Sequence, residues 1–163
     1  MQKHDPRRIG LVRHVRGATV TVALDESLVG TTPLWEGTLH PIGQVGSLVV
    51  LPQGPVRLLA AVTLVGIAEL SGQLEPSSTV QTGDRWLQVQ LLGELDGLGR
   101  FHRGVSTYPG LDDPVHFCVP DQLEGVYPGP SDTHVRIGAL SGSSVVPAAL
   151  DASKLVARHG AVV

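Results

Sequence analysis

The stretch QVGSLVVLPQGPVRLLAAVTLVGIAEL, residues 44–70, decides the fold class. It holds two apolar runs interrupted by Pro52, Gln53, Gly54 and Pro55, a strong turn signal. As a helix, the second run would set Leu58, Leu59, Val62 and Val65 near a 3.6-residue period. As a strand it is rich in β-branched residues, and Gly66 inside it would spare a close backbone contact along a long, bent element. The flanking Gly and Pro decide for strand.

Outward from this point the same pattern recurs. IGLVRHVRGATVTVAL, residues 9–24, reads as two short strands around Gly17, with Val20, Val22 and Leu24 alternating against Thr19, Thr21 and Ala23. RWLQVQLLGEL, residues 85–95, alternates strictly: Leu87, Val89 and Leu91 share one face, Gln88 and Gln90 the other. GRFHRGV and DPVHFCV are short strands joined by STYPGLD, and HVRIGAL is a late strand. PDQLEGVY predicts one helical turn started by Asp121, and PAALDASKLV a short turn or helix at Asp151. Residues 25–43 form a loop with Trp35 pinned onto the rest, and residues 71–84 a polar connection. Eight to ten short strands with at most two helical turns predict an all-β barrel or sandwich.

Composition agrees. The chain has 163 residues, 42% hydrophobic and 17% charged, with 20 glycines and 12 prolines, which describes one turn-rich domain able to bury a core. A net charge of −3 gives no sign of the strongly basic face that non-specific DNA binding needs by itself. The sole cysteine, Cys118, has no partner for an internal disulfide and no zinc spacing, so it reads as a buried thiol in a reducing compartment. No signal-peptide pattern opens the chain, and no run of eighteen apolar residues occurs, so the expectation is a soluble, cytoplasmic protein without membrane association.

Catalytic and metal signatures are missing from the text. His4, His14, His40, His102, His116, His134 and His159 form no HxH, HExxH or close pair, which predicts scattered, partly exposed histidines. There is no GxSxG elbow and no GxxxxGK[ST] phosphate loop. LSGSS, residues 140–144, offers an anion nest or an ordinary turn, and the turn is favoured. In RFHRGVSTYPGLDDPVHF, residues 100–117, Arg100, His102 and Arg103 would face a partner or phosphate. The structural alternative, which is favoured, makes Tyr108, Pro109 and Gly110 a turn and pairs Asp112 with an arginine.

Three segments carry a resemblance: GQVGSLVVLP (43–52), RGVSTYPGLDDPVH (103–116), and VRIGAL followed by LDASKLVARHGAVV (135–140 and 150–163). With IGLVRHVRGATVTVAL and LQVQLLGEL they stand in the order found in the N-terminal domain of the HerA family of hexameric DNA-translocating ATPases, within the HerA/FtsK superfamily. The chain resembles that domain over nearly its whole length.

The resemblance implies a small β-barrel, the HAS barrel, similar to the N-terminal barrel of ATP synthase ring subunits. It assigns residues 1–156 to the barrel and 157–163 to the start of the first strand of a RecA-like ATPase domain otherwise absent here. The implied role is oligomerisation and effector docking for an ATP-dependent DNA translocase or helicase. Its partners would be five further copies in a homohexamer, double-stranded DNA through the motor, and a NurA-like nuclease in end resection or a Sir2-like effector in antiphage defence. No cofactor is implied for these residues and no catalytic residue is carried over; ATP and Mg belong to the parent protein.

Arg158, in ARHGAVV, matches an arginine that lies near nucleotide at the subunit boundary of the full hexamer, where its planar fork suits phosphate or carboxylate. The docking anchors expected on the loops are Leu34 and Trp35, and Leu70, Leu74 and Val80. The alternative function is a stand-alone barrel that binds single-stranded nucleic acid or a protein partner. Stacking would then fall to Trp35, Trp86, Tyr108, Tyr127, Phe101 and Phe117.

Overall fold

In a computed structural model of the chain, residues 5–28, 34–40, 42–67, 85–127, 129–140 and 143–157 are described. They contain eleven strands and two short helices. In chain order these are β1 (Arg8–Arg16), β2 (Thr19–Leu24), β3 (Leu34–Trp35), β4 (Thr38–Leu39), β5 (Leu48–Gln53), β6 (Val56–Ile67), β7 (Arg85–Leu95), β8 (Phe101–Arg103), β9 (Pro114–Phe117), α1 (Pro120–Glu124), β10 (His134–Leu140), β11 (Ser143–Asp151) and α2 (Ala152–Val156). The chain divides into two compact units, Met1–Cys118 and Val119–Val163.

The first unit is a closed barrel. Six antiparallel strands run in the order β2, β1, β9, β5, β6, β7, and β7 returns to β2 through the register Thr19↔Gln90 to Ala23↔Trp86. Closure removes the free edges an open sheet would leave, and β8 lies outside the ring on β7. The all-β, small-barrel expectation holds, and the region 44–70 is the β5–β6 hairpin. Gln53 pairs with Val56 across Gly54 and Pro55. Gly54 takes φ +57 at the first central position, and Pro55 supplies the negative φ that must follow. Gly17, at φ +59, does the same between β1 and β2.

A barrel of six strands is narrow enough for side chains alone to fill it. Ile9, Val12, Val20, Val22, Val49, Val50, Leu51, Leu58, Val62, Leu87, Val89, Leu95, Val115 and Phe117 are all buried; β2, β7 and β9 show the alternation that strands impose, while β5 buries three residues in succession. β6 departs from strict alternation: its register against β7 shifts between Leu59 and Ala60 and again between Val62 and Leu64. Both Leu58 and Leu59 are buried as a result, and the strand bends around the core.

Glycine marks the tightest approaches. A Cβ on Gly10 would lie 2.1 Å from the carbonyl oxygen of Ala23, so β1 can cross β2 here only without a side chain. Gly66 differs from its sequence reading, which expected a backbone neighbour. It faces Trp86 in the ladder, and a Cβ there would fall 2.5 Å from Cζ2 of the indole. The glycine makes room for a ring.

The second unit is an antiparallel ribbon, β10 with β11, packed with α1. Its buried described side chains are Leu123 and Val146. The turn predicted to start at Asp121 starts one residue earlier. Pro120 occupies the first helical position, where its missing N–H costs nothing, and the Gln122 side chain accepts from the Val119 N–H at 3.1 Å. α2 begins as expected at Asp151, whose carboxylate accepts from the Lys154 N–H at 3.2 Å. The segment PAALD before it belongs to β11. Among the described residues no helix is long and apolar enough to cross a membrane.

Candidate functional site

Within the segment expected to be loop, the chain makes a two-pair hairpin: Leu34 opposes Leu39 and Trp35 opposes Thr38. Glu36 and Gly37 form its two-residue turn, with φ of +48 and +76. Positive φ at both central positions matches the twist of flanking strands, but it is a conformation for Asn, Asp or Gly. A glutamate there costs on the order of 1 kcal/mol. That strain has to be offset by what the hairpin packs against.

It packs against Phe117, the largest fully buried side chain of the barrel. The Trp35 ring meets Phe117 edge-on, with centroids 6.2 Å apart and an interplanar angle of 65°. The His40 ring lies over it in parallel fashion at 4.7 Å and 24°. Both geometries suit the charge distribution of aromatic faces and edges. His40 is only 9% exposed, so the expectation of partly exposed histidines fails at this residue. Burial pushes its pKa below the ordinary histidine value, against the opposing pull of the Glu36 carboxylate and a hydrogen bond to the Trp35 backbone.

The outcome for the predicted anchors follows from this frame. Leu34 is 67% exposed and its cross-strand partner Leu39 62%, so the hairpin presents an apolar pair to solvent. Trp35 sits half-buried, turned toward Phe117, and it holds the hairpin down while Leu34 faces out. Leu39 was missed because residues 25–43 read as loop; the alternation of Leu34, Trp35, Thr38 and Leu39 around Glu36-Gly37 was the signal. Leu70, Leu74, Val80 and Arg158 lie outside the described residues, as do Ser141 and Gly142 of the LSGSS turn.

The second candidate region, residues 100–117, is occupied with its own structure. Asp96 closes the β7–β8 loop: its carboxylate accepts from the N–H groups of Leu98 and Arg100, both at 2.9 Å, and from Arg100 Nε at 2.9 Å. His102 Nε2 lies 3.1 Å from the same carboxylate. These donors, the Arg100 amide first, hold Asp96 far below the usual carboxylate range. Glu94 accepts from Ser106 and from the Thr107 N–H at 3.3 Å. Asp112 pairs with Arg13, as the structural alternative required, and Asp113 accepts from Gln53 Nε2 and the Gly110 N–H, each at 2.7 Å. Arg100 and His102 are therefore committed to Asp96, and Arg103 remains exposed.

One serine comes near a histidine. Ser131 Oγ and Thr133 Oγ1 each lie 3.1 Å from His134 Nδ1, inside a tight turn closed by the Ser131↔His134 bridge. Two hydroxyls share that nitrogen, and Asp151, opposite His134 in the ladder, is engaged in capping α2. The arrangement ties off a hairpin end and aligns no nucleophile with a base. No cluster of His, Cys, Asp and Glu that could hold a metal occurs among the described residues.

Cys118 is buried, and burial pushes its thiol up to about 12. The hairpin thus offers an exposed apolar pair held on a buried aromatic ring. No protein-family profile matches the chain, and no curated protein matches it.

Proposed function

We propose that this chain is the oligomerisation and effector-docking barrel of a HerA-like hexameric DNA translocase, a cytoplasmic protein whose parent binds ATP and Mg and moves on double-stranded DNA. The effector would be a NurA-like nuclease in end resection or a Sir2-like protein in antiphage defence. The observation that carries the reading is the closed six-strand antiparallel barrel bearing a hairpin with the exposed Leu34–Leu39 pair. It is supported by the ordered motif resemblance and by the commitment of Arg100 and His102 to Asp96. An exposed apolar pair held on a buried base is a common form of interface anchor.

The experiment is expression of the full reading frame with its neighbouring candidate effector. The expected products are a ring of six subunits by mass and a DNA-stimulated ATPase. Leu34→Ser combined with Leu39→Ser should abolish effector capture and leave the ring intact. A protein without ATPase activity, or unchanged effector capture by the double variant, refutes the reading. Tight, salt-sensitive binding of single-stranded DNA by these 163 residues alone would support the stand-alone module instead. That reading has less support from the geometry, because Trp35, Phe117 and Trp86 are packed on other groups and Tyr108 is the one clearly exposed aromatic among the described residues.

A further inference from the structure

Among the described residues two ring contacts hold the hairpin down, and one of them can titrate. Its own ladder has only two residue pairs, Leu34↔Leu39 and Trp35↔Thr38, and a two-stranded ribbon that short does not sustain itself in water. Its turn holds Glu36 in a left-handed conformation. Among the described residues, what opposes release is the aromatic stack of Trp35 and His40 on Phe117.

We infer that the β3–β4 hairpin is a pH-operated flap, docked on Phe117 while His40 is neutral and released when His40 takes up a proton. The consequence for partners rests on the docking reading above: the docked flap presents Leu34 and Leu39 as a fixed pair, and release disperses them.

The physical case is the cost of placing an imidazolium where an imidazole now sits. His40 is nearly excluded from water and lies flat on a hydrocarbon ring, so the charged form loses hydration that the released hairpin would restore. The face of Phe117 attracts a cation weakly, and Glu36 on the same hairpin and the Trp35 backbone also favour the proton; burial is the larger influence and its direction prevails. On β9, His116 alternates to the face opposite Phe117, with Nδ1 3.8 Å from Asp5, and Cys118 is held protonated by burial. β5, which pairs with Phe117 through Val49, carries no titratable side chain.

The sign follows from that depressed pKa. The docked state is fully favoured above the ordinary histidine value and weakens as pH falls through the lower docked value. Each unit between the two values changes the docking equilibrium up to tenfold.

The test is proton–nitrogen NMR of the full chain between pH 8 and pH 5, reading the His40 ring protons and the Trp35 indole N–H. In the wild type His40 is expected to titrate below its ordinary value, with the Trp35 resonance moving in step toward that of a released indole. In His40→Phe and His40→Gln the Trp35 resonance should stay fixed over the same range. His40 titrating at or above about 6.5, a Trp35 signal indifferent to pH, or the same movement in both variants overturns the proposal. If neither variant folds, the wild-type titration decides alone. Partner capture by Leu34→Ser, measured at pH 8 where the flap is docked, fails or succeeds independently and so tests the docking reading separately.

Discussion

Phe117→Ala should be the most damaging large-to-small change in the barrel. Its side chain is 1% exposed, and truncating a buried Phe to Ala costs about 3–5 kcal/mol in transfer and cavity terms. Two ring contacts go with it, to Trp35 at 6.2 Å and His40 at 4.7 Å, each about 0.5–1.5 kcal/mol beyond area burial. Part of that loss is already inside the truncation figure, so the sum is about 5 kcal/mol, a third or more of what a domain commonly has. The assay is urea unfolding followed by tryptophan fluorescence; both tryptophans, Trp35 and Trp86, lie in the barrel unit, so the signal reports that unit. With a urea slope of about 2 kcal/mol per molar the midpoint should fall by about 2.5 M. Trp35→Ala provides the contrast: half-buried and with one of the two ring contacts, it should cost less than half as much while still freeing the hairpin. A Phe117→Ala loss below about 1.5 kcal/mol, or a Trp35→Ala loss as large as it, refutes the assignment of Phe117 as the shared base of barrel and hairpin.

Gly10→Ala should destabilise the barrel by about 3 kcal/mol or more, because the new methyl meets the Ala23 carbonyl and backbone cannot step aside. Gly138→Ala, with nothing within 4 Å of its Cβ position, should be neutral or gain about 0.5 kcal/mol by thermal unfolding, and equal effects at the two glycines would contradict the packing. Cys118 should resist alkylation at pH 8 in the native state and react only at the rate of opening. Its raised thiol pKa means that its contribution to stability is complete below the unfolded thiol value and fades as pH climbs toward about 12. Asp5, held down to about 2 chiefly by Arg7, acts in the other direction: its contribution stands at neutral pH and is lost as pH falls through that value, so Asp5→Asn should flatten the acid limb of the stability curve.

Much of the barrel is legible because burial alternates along a strand as the residues do. Leu87, Val89 and Leu91 point inward as the text RWLQVQLL requires, and Gly54-Pro55 and Gly17-Ala18 turn where a glycine of positive φ is followed by a residue of negative φ. What resists reading is the identity of neighbours across the ring. Closure depends on Thr19 meeting Gln90, and no local pattern names that pair; the ring is one of several antiparallel orders with the same alternation. Gly66 looked like a place for backbone because a glycine in a strand often is one, yet the space belongs to Trp86, a relation set by register alone.

The candidate site fails to show in the sequence for the same reason. Glu36-Gly37 is a poor version of the Asn-Gly signal, so propensity argues against the hairpin that forms there. Its formation is decided by Phe117, far away in the chain, which reaches it only once β9 has been placed between β1 and β5. His40 likewise looks like any surface histidine until that ring arrives beneath it. A marginal local element kept in place by distant burial is also one that a small change in charge can release. The residue that hides the site from sequence reading is therefore the one on which its proposed response to pH depends.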